Sequence, residues 1–112
     1  MGLNLVGGIL MPKFHIEWKM NTVVMPDDPI KLGEKYFALL EMVKAEVKAN
    51  KITDWGVYCN GFSGYTIREG NHEEIAIGLM KYMPFVIFDV KPVINEDQAI
   101  DTLKTVSQMM EK

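Results

Sequence analysis

His15 and Glu17 stand two residues apart in a run whose polar positions alternate with apolar ones, Lys13-Phe14-His15-Ile16-Glu17-Trp18-Lys19-Met20. Spacing of two places both on one face of a strand. A histidine titrates near neutrality and can take or release a proton there. Arg68 and Asp89 occupy polar positions of two other strand-like runs, over residues 63–69 and 85–93. If that face lines a partly enclosed space, Asp89 lies beside His15 and Arg68 reaches Glu17. Such a group can abstract a proton beside a carbonyl, with His15 or Asp89 as base and Arg68 stabilising the developing negative charge. Tyr58, Thr66, Phe85 and Ile87 fall on the same predicted face and are the candidate ligand-binding residues. The same side chains also read as cross-strand ion pairs that keep a sheet soluble or specify a dimer, and this plainer reading outweighs the catalytic one.

These residues are positioned by elements in the order β-α-β-β-α-β, followed by one more helix. Period-two alternation over residues 13–20 predicts a half-buried strand. Asp28 as N-cap and Pro29 in the first helical position start a helix. Its predicted stripe is Tyr36, Phe37, Leu40, Val43 and Val47, and Asn50 closes it in a left-handed conformation. Strands follow over 52–59 and 63–69, joined at Asn60-Gly61-Phe62, a hairpin signal. Asn71 and Glu74 form a capping-box pattern that opens a second helix, with Ile75, Ala76, Leu79, Met80 and Met83 as its buried side. Pro84 stops it, and a strand runs over 85–93. Asn95 and Gln98 repeat the capping pattern for a third helix that buries Ala99, Leu103, Val106 and Met110.

Loop length decides which side chains share a sheet face. A two-residue turn places Trp55 and Val57 with Thr66 and Arg68. A three-residue loop places them with Tyr65 and Ile67, and separates apolar from polar, so it is the preferred register. One face is then the helix-facing core, built on Phe14, Ile16, Trp18, Trp55, Val57, Tyr65, Ile67, Val86, Phe88 and Val90. Phe85 and Ile87 make the last strand apolar on both sides, so its outer side is expected to be covered. A second copy of the chain is the leading candidate, because two-fold self-association commonly buries such a patch.

The chain has 112 residues, 48% of them hydrophobic and 24% charged, which fits one globular domain. Residues 1–12 read as an N-terminal extension and 13–112 as a single ferredoxin-like domain. The net charge of −3 lacks the basic footprint of a nucleic-acid binder. A single cysteine, Cys59, excludes an internal disulfide and a cysteine-cluster zinc site, and suits a reducing, cytoplasmic setting. No stretch has the length of a membrane span. Neither a GxGxxG nor a Walker loop is present, and no metal or cofactor is expected.

A β-α-β-β-α-β order is that of the ferredoxin-like two-layer sandwich. Within it, Met11-Pro12-Lys13-Phe14-His15-Ile16-Glu17-Trp18, Trp55-Gly56-Val57-Tyr58 with Gly64-Tyr65-Thr66-Ile67, and Phe88-Asp89-Val90-Lys91-Pro92-Val93 resemble uncharacterised members of the dimeric α+β barrel superfamily. Muconolactone isomerases and antibiotic-biosynthesis monooxygenases belong to that superfamily, and the resemblance covers about residues 11–94. It implies an α+β homodimer packed sheet against sheet, with a small organic molecule in the barrel cavity. An isomerase or monooxygenase activity without a cofactor is also implied. The competing expectation is a non-catalytic assembly or regulatory module whose polar sheet face forms the homodimer interface.

Overall fold

The computed structural model describes residues 12–111 in full and the backbone of residues 5–6 and 9–10. Most of the expected extension over 1–12 lies outside the described residues. The two short strands β1 (Leu5–Val6) and β2 (Ile9–Leu10) pair antiparallel. The body follows as β3 (Lys13–Met20), α1 (Pro29–Lys48), β4 (Ile52–Val57), β5 (Ser63–Glu69), α2 (His72–Met80) and β6 (Val86–Val93), and α3 (Glu96–Met110) comes last.

Local chemistry sets these boundaries. The Asp28 side chain accepts from the Ile30 amide at 3.2 Å, satisfying a donor left free by the first turn of α1. Asn50 takes φ 60° just past the end of α1. Asn71 and Glu74 satisfy one another's amides at the start of α2, and Asn95 and Gln98 do so for α3. Each such cap contributes about 1 kcal/mol.

The sheet order is β4-β5-β3-β6, and every neighbouring pair is antiparallel. Phe14, Ile16, Trp18 and Met20 of the central strand β3 are buried on one side, and Ile16 is fully enclosed. Burial of each such side chain contributes about 1.5–3 kcal/mol. Trp18 and Met20 pack with Leu39 of α1, Tyr82 and Val86, while Phe14 and Ile16 pack with Ile75 and Leu79 of α2. Both helices therefore cover the same face.

Four expectations are corrected by these elements. The expected fold class joined a ferredoxin-like sandwich to a dimeric α+β barrel. The sheet is instead open, and β4 and β6 each have a single neighbour among the described residues. The preferred hairpin register is also overturned. Tyr58 N donates to Ser63 O at 2.8 Å, and the Asn60 side chain accepts from the Phe62 and Ser63 amides, so the connection is residues 59–62. An even-numbered loop pairs Trp55 with Thr66 and Val57 with Gly64. Thr66 and Arg68 consequently point to the helices, while Tyr65 and Ile67 turn to the open side.

The α1 stripe is shifted as well: Leu39 and Glu46 are buried and Leu32, Tyr36 and Val43 half-buried, whereas Phe37, Leu40 and Val47 are exposed. Finally, α3 buries none of its side chains, Ala99, Leu103, Val106 and Met110 included. It stands away from the body, and the molecule measures 64 × 29 × 23 Å.

Candidate functional site

The open sheet face gathers only part of the expected site. His15, Glu17, Asp89, Tyr58 and Ile87 share it, and Glu17 and Asp89 are direct cross-strand partners. The His15 ring lies parallel to that of Tyr65, with centroids 6.3 Å apart. The Tyr65 hydroxyl donates to Asp54 at 3.2 Å, and this bond raises its pKa. Lys91 approaches Asp89 at 3.7 Å, an exposed pair of little energetic weight.

Arg68, Thr66 and Phe85 are not on that face. Thr66 donates to the Asp54 carbonyl at 3.1 Å from the helix side. Phe85 precedes β6 and packs against the core, with Lys35 Nζ 4.1 Å above its ring centre. Arg68 is 4% exposed and donates through Nη1 and Nη2 to the two oxygens of Glu46, at 3.0 and 2.9 Å. Arg68 cannot then stabilise negative charge beside His15, because the sheet lies between them. The expected catalytic grouping of His15, Glu17, Arg68 and Asp89 is therefore divided between the two faces.

On the helix side a different constellation forms. Tyr82 donates its hydroxyl to Glu46 Oε1 at 2.5 Å, so one buried carboxylate receives three charge-assisted or phenolic bonds. Burial pushes the Glu46 carboxyl up, but the bonds from Arg68 and Tyr82 and the Arg68 charge outweigh it and hold the group below its ordinary value. Desolvation, then the bond to Glu46, drives the Tyr82 phenol far above its ordinary value. Gly78 makes the arrangement possible, because a Cβ there would meet Arg68 Nη1 at 2.7 Å. Arg68 Nε and Trp18 Nε1 are buried with no hydrogen-bond partner among the described residues.

These shifts set the pH response of folding. A carboxyl held low in the folded state stabilises above its unfolded pKa, and that stability is lost as pH falls through the folded value. A phenol held high stabilises below its unfolded pKa of about 10, and that contribution is lost as pH rises through the folded value. Urea midpoints should thus stay level near neutrality and fall at both extremes. Glu46→Gln should flatten the acid limb. An acid limb of unchanged slope in that variant would show that Glu46 does not carry it.

The cavity beneath α1 is too small for a substrate. The cavity between α1 and the sheet, bordered by Trp18, Tyr36, Trp55, Arg68 and Tyr82, holds about 40 Å³. Small-molecule sites commonly run to about 300–1,000 Å³. A cleft of about 430 Å³ between α1 and α2 carries acids and bases together, Glu46, Glu69 and Glu74 with Lys51, Arg68 and Lys81. On the open face, Glu17, Lys19, Tyr58, Ile87 and Asp89 border a depression of about 350 Å³ that none of the described elements roofs. The expected small-molecule cavity of a dimeric barrel, and the isomerase or monooxygenase activity tied to it, are corrected: the sheet is open and Arg68 is turned to the helix side.

Among the described residues no three His, Cys, Asp or Glu side chains are placed to hold a metal ion. No helix among them is long and apolar enough to cross a membrane. Cys59 is exposed at the hairpin. A scan against protein-family models gives no match to this chain, and a search of curated proteins gives none either.

Proposed function

We propose that this chain is a non-catalytic assembly module that pairs with a second copy through the open face of its sheet. One observation supports the reading above others: no element of the body covers that face, although it exposes Ile87 and Tyr58 among charges of both signs. Glu17 opposes Asp89, an unfavourable like-charge pair within one copy. Lys19 and Lys91 flank that pair on the same face. A two-fold axis brings the bases of one copy over the acids of the other, which makes the surface self-complementary.

Ile87→Asp tests this reading directly. It introduces a charge on the open face, at the edge strand β6, without touching the helix-side core. Sedimentation should show the chain as a dimer and the variant as a monomer with an unchanged far-UV spectrum. A chain that stays monomeric, or a dimer indifferent to Ile87→Asp, would falsify the proposal.

A further inference from the structure

Two nitrogen donors in the helix-side core, Trp18 Nε1 and Arg68 Nε, are buried and donate to no group of the described residues. Their side chains are 6% and 4% exposed. No aromatic face replaces the bond at Trp18 from the Trp55 side. The two rings lie within 9° of parallel, so the N–H points past Trp55 and not into its face. Arg68 holds Glu46 end-on through Nη1 and Nη2, so Nε, the third nitrogen of the fork, points aside from the carboxylate. Nη1 faces α2 at Gly78. The Nε–H bond leaves the opposite edge of the planar guanidinium, away from α2. Buried donors left unpaired are costly, and folded proteins satisfy nearly all of them, with ordered water where the chain supplies no acceptor.

One cavity is common to both donors. The space between α1 and the sheet is bordered by Trp18 and Arg68 alike, and also by Tyr36, Thr66 and Tyr82. Each of these three hydroxyls gives its proton to another acceptor: Tyr36 to the Gly61 carbonyl, Thr66 to the Asp54 carbonyl and Tyr82 to Glu46. What each has left is oxygen lone pairs, which accept. An occupant of this space therefore has to accept from the nitrogens and donate to the oxygens. Glu46 already neutralises Arg68, so an anion gains little there. Size narrows the choice further. The cavity holds about 40 Å³, and one water takes about 10–15 Å³ of such space.

We infer that this cavity is an internal water site, in which about two or three ordered waters accept from Trp18 Nε1 and Arg68 Nε and donate to the hydroxyl oxygens around them. The waters join the indole to the Glu46–Arg68–Tyr82 group in one hydrogen-bonded network, so a change at either end is felt at the other. The site lies on the helix side of the sheet and does not depend on the assembly reading above.

The test uses the full chain, ¹⁵N-edited Overhauser spectra to the water resonance, and ¹⁷O relaxation dispersion of water. The native chain should show water contacts at both the Trp18 Nε1–H and the Arg68 Nε–H. Val43 borders the same cavity, and Val43→Ile adds a methyl group there. In that variant the ¹⁷O dispersion amplitude should fall by about one water. The ¹⁷O signal belongs to water alone, so it separates bound water from hydroxyl protons that merely exchange with it. A missing contact at either N–H in the native chain overturns the inference, whatever the variant does. Contacts at both, with an amplitude equal in the two proteins, would put the water outside this cavity and overturn it as well.

Discussion

Arg68→Met should lower the unfolding free energy by about 3–5 kcal/mol, the usual consequence of removing one partner from a buried ion pair. The substitution keeps most of the side-chain volume, so little of the loss is cavity. What remains is the Glu46 carboxylate, 7% exposed and left with the bond from the Tyr82 hydroxyl. Burying a charge without a counter-charge is the larger penalty, and against a typical total of about 5–15 kcal/mol it removes much of the stability. Glu46→Leu should have a similar effect by stranding the guanidinium. The double variant should recover most of the loss, because two apolar side chains replace the pair and nothing charged is left behind. Urea unfolding of all four proteins at neutral pH closes the cycle. A loss below about 1 kcal/mol for Arg68→Met would mean that Glu46 escapes to water or takes up a proton on its own.

Arg68 also shows where reading the sequence succeeds and where it stops. Strand β3 is legible because Phe14, Ile16, Trp18 and Met20 alternate with polar residues over the whole element. The helix starts are legible because Asp28, Asn71 and Asn95 are local signals, complete within four residues. Register across the β4–β5 hairpin is not local. Sorting apolar from polar favoured an odd loop, since that keeps Arg68 in water. The chain instead buries Arg68 and supplies Glu46 from α1, a partner 22 positions away in sequence. Hydropathy treats each charge alone and cannot register that two of them cancel.

Two signals pointed the other way. Asn60-Gly61 is the two-residue turn pattern, and it has the parity that the structure adopts. Leu32, Tyr36, Leu39, Val43 and Glu46 lie on one line of α1, so the last carboxylate falls where an apolar residue is expected. A charge in line with a buried stripe calls for a buried cation, and Arg68 is the residue that the turn signal would have delivered. The catalytic grouping failed for the same reason, because it needed Arg68 on the face with His15. His15, Glu17, Tyr58, Ile87 and Asp89 share the open face, a placement that needs only alternation along their strands.

Trp18→Ala should cost about 3–5 kcal/mol, the range for emptying a large aromatic site in a core. Trp18 is 6% exposed and lies at the meeting point of α1, β4, β5 and β6. Its ring stacks on Trp55 with centroids 5.5 Å apart and planes inclined by 9°, a contact contributing about 0.5–1.5 kcal/mol beyond the buried area. Gly64 leaves the space it occupies, since a Cβ there would approach the Trp18 ring at 2.6 Å. With the indole removed, the cavity it borders enlarges, and neighbours anchored in three strands cannot collapse to fill it. Near-UV circular dichroism gives a second readout, because two stacked indoles couple and a lone Trp55 does not. Trp18→Phe should retain part of the stability and none of that coupled signal. If Trp18→Ala loses less than about 1 kcal/mol and the near-UV spectrum is unchanged, the indole is not packed over Gly64, and the β3–β5 register that sets Trp18 opposite Gly64 would have to be abandoned.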